Sequence, residues 1–63
     1  MTYRIRVWND NRETVKAVSF DVDETTAYDM QGEVADRYTF EHRVDLVDGA
    51  SGQPINRCRG HKQ

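Results

Sequence analysis

The chain is short of cysteine, of long apolar runs and of basic charge, and each shortage closes off a class of function. Cys58 is the only cysteine among 63 residues, so no disulfide can form within the chain. A reducing, cytoplasmic location is the expectation that follows. No uninterrupted apolar run exceeds two residues, as in Ala17-Val18 and Leu46-Val47. A membrane span needs about 20 apolar residues and a secretory leader needs an apolar stretch of its own, so the chain reads as soluble where it is made. Lysine and arginine total 9 against 11 aspartates and glutamates, a formal charge of −2. A general nucleic-acid binder is usually clearly basic, which ranks nucleic acid below protein as a partner. Repeats and low-complexity segments are also missing, and there is one proline.

What remains is a single small domain spanning residues 1–63. A chain of this length buries only about 60% of the surface its unfolded form exposes. With 37% apolar and 32% charged residues, burial is nearly balanced by the entropy of ordering the chain. No deep catalytic cleft is expected, and a homodimer or a larger partner would supply the missing burial. No cofactor and no enzymatic activity are expected.

Tyr3 to Trp8 alternate with period two: Tyr3, Ile5 and Val7 share one face, Arg4, Arg6 and Trp8 the other, as in a half-buried strand. Asn9 to Arg12 are turn formers. Thr14 to Val22 again read as a strand, with Val18, Phe20 and Val22 in one phase and Val15 and Ala17 in the other; the phase change predicts a bulge or bend near Ala17. From Asp23 the period lengthens, because Ala27, Met30, Val34 and Tyr38 form one stripe of a helix that reaches Tyr38. Asp23 or Thr25 can cap its first amides. Residues 39–47 return to alternation, with Phe40, His42, Val44 and Leu46 on one face. Asp48 to Gly52 signal a hairpin leading to a short strand over Pro54 to Cys58, and the proline confines that strand to an edge. Residues 59–63 read as a flexible polar tail. The layout is therefore α+β, order β-β-α-β-β: an antiparallel sheet of three to four strands with one helix on one face. The expected core is Tyr3, Ile5, Val7, Val18, Phe20, Val22, Ala27, Met30, Val34, Tyr38, Phe40, Val44, Leu46 and Ile55.

Residues 18–26, "VSFDVDETT", carry the one catalytic resemblance. A hydrophobic strand followed by Asp-x-Asp-x-Thr resembles the first motif of the haloacid-dehalogenase phosphatases, which implies Asp21 as nucleophile, Asp23 as acid-base and magnesium between them. Glu24 stands where that family commonly has glycine, and 38 further residues cannot hold its later lysine and acidic motifs. A calcium loop fails as well, because its sixth and twelfth places, glycine and glutamate, hold Thr26 and Gly32. The alternative is a joint, in which Asp21 ends a strand and Asp23 starts a helix. Cys58 and His61, even with His42, fall short of the four ligands of a structural zinc, so no metal site is assigned.

Two surfaces remain as partner-binding candidates. Arg4, Arg6, Trp8 and Arg43 share the uncovered sheet face, with Glu41 and Asp45 between them; arginine and tryptophan are the types that anchor interfaces. Asp29, Glu33 and Asp36 cluster on the helix away from its apolar stripe. In size and layout the pieces "YRIRVW", "VKAVSFDV", "TTAYDMQGEVADRY" and "FEHRVDLVDGASGQPI" are similar to small phage-encoded host-takeover proteins, including inhibitors of bacterial RNA polymerase and anti-CRISPR proteins. The resemblance implies a non-enzymatic inhibitor or modulator of a larger host protein or ribonucleoprotein complex, and it transfers no individual contact residue. The competing expectation is a small nucleic-acid-binding module working through the open sheet face.

Overall fold

The computed structural model describes residues 1–62. Its elements are β1 (Thr2–Trp8), β2 (Thr14–Asp21), α1 (Glu24–Ala35), β3 (Arg43–Asp48) and β4 (Pro54–Arg59). The four strands form one sheet in the order β2-β1-β3-β4, every neighbouring pair antiparallel. The helix lies on one face, giving the α+β arrangement that the alternating periods imply.

Local chemistry sets the joints. The Asn9 side-chain oxygen accepts from the amides of Asn11 at 3.0 Å and Glu13 at 3.1 Å, which holds the β1–β2 turn with Arg12 at φ 64°. Val7 pairs with Lys16 and Trp8 with Thr14, so Val15 is the extra residue of a bulge two positions before Ala17. Asp23 caps α1: its Oδ1 accepts from the Thr26 amide at 2.9 Å, one of the four donors a helix start leaves unpaired. The helix ends at Ala35, short of Tyr38. There the Arg37 and Tyr38 amides donate to Val34 and Ala35 carbonyls at 3.0 and 3.2 Å, a tighter turn that closes the last winding.

The line of α1 that faces the sheet is Ala27, Gln31 and Ala35, not Ala27, Met30, Val34 and Tyr38. Two alanines let the helix approach closely, and Gln31, 2% exposed, satisfies its amide against the strands. Its Nε2 donates to the Val44 carbonyl at 3.0 Å and its Oε1 accepts from Asn56 Nδ2 at 2.8 Å. Met30 and Val34 therefore sit at the flank, half-buried, on the side of β2.

The core is Tyr3, Ile5 and Val7 of β1, Val44 and Leu46 of β3, and Ala27 and Ala35 of α1, with Phe20, Val22, Met30, Val34, Tyr38 and Cys58 packed around it. Three expected members lie outside it: Val18 is 39% exposed, Ile55 38% and Phe40 70%. Val18 projects toward the helix side, but α1 packs on β3 and leaves β2 uncovered. Ile55 takes the opposite face of β4 from Asn56. Phe40 falls in the turn before β3, which starts only at Arg43.

The expected tail over residues 59–63 differs as well. Arg59 ends β4. The Gly60, His61 and Lys62 amides donate to the carbonyls of His42 at 3.0 Å, Ala35 at 2.8 Å and Tyr38 at 2.9 Å, and Thr39 and Lys62 form a parallel bridge. Gly60 is buried so tightly that a Cβ there would fall on the Tyr38 and Thr39 carbonyl oxygens. Gln63 lies outside the described residues. Among those residues no helix is long and apolar enough to cross a membrane.

Candidate interaction surface

Because Tyr3, Ile5 and Val7 point at the helix, Arg4, Arg6 and Trp8 point the other way, and the strand register fixes what stands beside them. Trp8 is opposite Arg43, which is opposite Arg59; Arg6 is opposite Asp45, which is opposite Arg57; Arg4 is opposite Val47. Five of the seven arginines in the chain thus share one sheet face that no other element covers. Arg57 and Arg59 add to the four residues that strand alternation places on this face. Their spacing repeats that of Arg4 and Arg6, a signal present in the sequence, but the facing of a short β4 depends on a hairpin register that slips at Leu46 and Val47. Same-face neighbours lie about 7 Å apart along a strand, and strands about 4.8 Å apart. The cations therefore form two rails, Arg4–Arg6 on β1 and Arg57–Arg59 on β4, about 10 Å apart across β3.

Asp45 occupies the floor between the rails and is only 6% exposed. Its Oδ2 accepts from Trp8 Nε1 at 2.9 Å, while its Oδ1 is buried with no hydrogen-bond partner among the described residues. A buried carboxylate with an idle oxygen is costly, and here its setting is cationic, with Arg6 and Arg57 as its two cross-strand neighbours. The Trp8 bond also orients the indole, and the Arg43 guanidinium lies 5.1 Å from the centre of its ring. Such cation–π stacking restricts both side chains before any partner arrives. At the edges, Arg4 Nε donates to Ser19 Oγ at 3.4 Å. Arg59 is more engaged: its Nη1 lies 3.3 Å from Asp10 Oδ1 and 3.2 Å from the Phe40 carbonyl, and it covers the Phe40 ring at 5.1 Å.

The helix candidates are not assembled in the same way. Asp29, Glu33 and Asp36 are all exposed, but Asp36 Oδ1 lies 2.9 Å from His61 Nδ1 and Glu33 lines a groove toward β2. Glu41 lies in the turn before β3. The two ends of the molecule are nonetheless opposite in sign, acid on the helix and base on the open sheet.

The Asp-x-Asp-x-Thr stretch spends its carboxylates on structure. Asp21 Oδ1 takes the N-terminal ammonium at 2.9 Å. Hydrogen bonds from Thr26 hold the Asp23 carboxyl below the usual aspartate value. Cys58 Sγ donates to the Val44 carbonyl at 3.4 Å, and burial, then the Asp45 carboxylate, pushes its thiol pKa up, away from a reactive thiolate. His42 contacts Thr39 Oγ1 at 3.2 Å, and His61 is at Asp36. Among the described residues, no three His, Cys, Asp or Glu side chains gather as a metal site.

Comparison of the chain with protein-family models, with curated proteins and with solved structures finds no match.

Proposed function

We propose that the chain is a non-enzymatic protein-interaction module that inhibits or modulates a larger host protein or ribonucleoprotein complex, and that its working surface is the open sheet face. The observation that supports this reading is the arginine cluster: Arg4, Arg6, Arg43, Arg57 and Arg59 surround Trp8 on a face without a covering element. Guanidinium groups form paired hydrogen bonds to carboxylates and phosphates, so the target surface is anionic. Trp8, already fixed by Asp45 and Arg43, loses little freedom on docking, and preorganised aromatic and arginine anchors dominate interface energetics. Inhibition then means occupying an acidic or phosphate-lined surface that the host complex needs.

The competing mechanism uses Asp29, Glu33 and Asp36 to fill a basic nucleic-acid channel. Capture of partners from a host lysate with two charge-reversal variants separates the two. Arg6→Glu with Arg57→Glu should lose the captured complex, while Asp29→Lys with Glu33→Lys should keep it. The opposite outcome would move the working surface to the helix.

A second reading rests on a specific feature. The spacing of about 7 Å between the two arginines along each rail is close to that of successive phosphates on an extended strand, and the Trp8–Arg43 stack offers a platform for a base. On this reading the sheet face is a small single-stranded nucleic-acid-binding module. Titration with single-stranded DNA or RNA tests it: binding should weaken steeply with salt, and no binding at low salt removes it.

A further inference from the structure

We infer that the β2 edge, with the apolar groove beside it, takes a second copy of this chain, pairing β2 with β2 antiparallel about a twofold axis at Val18. The inference stands apart from the reading of the arginine face, since it concerns the other side and the other edge of the sheet.

The two edges are unequal. β4 begins at Pro54 and is followed by the docked Gly60–Lys62 segment, and both features discourage strand addition; each edge strand carries one register slip, at Val15 in β2 and opposite Leu46 and Val47 in β4, so the slip does not separate them. β2 has neither proline nor glycine over eight residues and pairs on one side only. Nearly all of it is exposed, Val15 and Val18 included. Since α1 packs on β3, the helix-facing side of β2 is left as a groove of about 260 Å³ with Val18, Phe20, Met30 and Val34 among its walls. An exposed edge strand beside an apolar groove is the usual arrangement for strand addition.

Self-complementarity names the occupant. Lys16, Val18 and Phe20 share the groove side of β2. A twofold axis at Val18 sets Val18 against Val18, and Lys16 of each copy against Phe20 of the other. Each lysine then lays its stem and ammonium along an aromatic ring on the side where Glu33, the carboxylate lining the groove, can meet it. On the other face Ala17 meets Ser19, two small side chains that let the sheet run on without a step. The Met30 and Val34 flanks of the two helices close over the axis. The product is one eight-stranded sheet with both arginine faces on the same side, and a closed, isologous contact.

The test is the mass of the full chain in solution without any partner. Light scattering after gel filtration should rise from 7.3 kDa toward twice that as concentration increases from micromolar to hundreds of micromolar. Val18→Glu should remain monomeric over that range, with wild-type circular dichroism and, at micromolar concentration where both chains are monomers, a melting temperature close to that of the wild type, because Val18 is already partly exposed in the monomer; only the wild type should melt higher as concentration rises. In a Cys58→Ser background, Val18→Cys should oxidise to a cross-linked dimer far faster than Val15→Cys. A wild-type chain that stays monomeric, whether its edge is open or takes another protein's strand, overturns the inference. So does a dimer that survives Val18→Glu, or one that Val15→Cys links as readily as Val18→Cys.

Discussion

At the residue scale the most informative positions are Asp23, Asp45 and Gly60, because each has one identifiable job. Asp23→Ala removes the acceptor for the Thr26 amide and should lower the melting temperature by several degrees at neutral pH. Since its folded-state carboxyl lies below the usual value, the benefit is complete above about pH 4 and is lost as pH falls through the lowered value. Melting curves of wild type and Asp23→Ala should therefore converge in strong acid. Gly60→Ala forces a methyl onto the Tyr38 and Thr39 carbonyl oxygens and should cost about 3 kcal/mol in denaturant unfolding, the upper end of the overpacking range. Asp45→Asn keeps an acceptor for the Trp8 indole while removing the charge beneath the arginines. Its stability should change by less than about 1 kcal/mol, and its affinity for an anionic partner should rise several-fold. The single tryptophan of the chain makes fluorescence titration a direct reporter of that face.

At the scale of elements, α1 shows why periodicity located the helix but not its buried line. Met30, Val34 and Tyr38 are the large apolar residues, so hydropathy points them inward. Yet the closest approach goes to the smallest side chains, Ala27 and Ala35, with the polar Gln31 between them. A glutamine is readable as core only when its partners are known, and these are the Val44 carbonyl and the Asn56 amide, contributed by β3 and β4. Gln31→Ala should thus destabilise by about 2–3 kcal/mol, from orphaned buried groups and lost volume, despite replacing a polar residue with a better helix former. Equilibrium urea unfolding would measure it; a neutral effect would mean that α1 is held by its flanks instead. β4 carries the complementary lesson. Arg57 and Arg59 alternate in plain view, but the irregularity at Leu46 and Val47 decides which face they join.

At the scale of the whole molecule, a net charge of −2 conceals two surfaces of opposite sign. Composition argued against a polyanion as partner, and composition cannot resolve a face. If a nucleic acid occupies the rails, log affinity should fall linearly with log salt concentration, and Arg6→Gln or Arg57→Gln should each reduce that slope by about one phosphate contact. The same substitutions should leave stability within about 0.5 kcal/mol, as expected for surface changes, since neither side chain has a hydrogen-bond partner among the described residues. Asp29→Asn on the opposite side should leave the slope unchanged.

By itself the sequence determined the order of strands and helix, a helix cap at Asp23 or Thr25, the turn at Asn9–Arg12 and the outward phase of Arg4, Arg6 and Trp8. These depend on contacts between near neighbours and on periods of two or 3.6 residues, which a chain carries in one dimension. Tertiary structure alone decided that β1 lies between β2 and β3, that the helix sits over β3 and leaves Val18 exposed, and that residues 60–62 are bound against Ala35, Tyr38 and His42. It also brought Arg57 to the far side of Asp45 from Arg6. Each of these follows from pairing between segments far apart in the chain, where register, packing volume and the search for buried hydrogen-bond partners outweigh local preference.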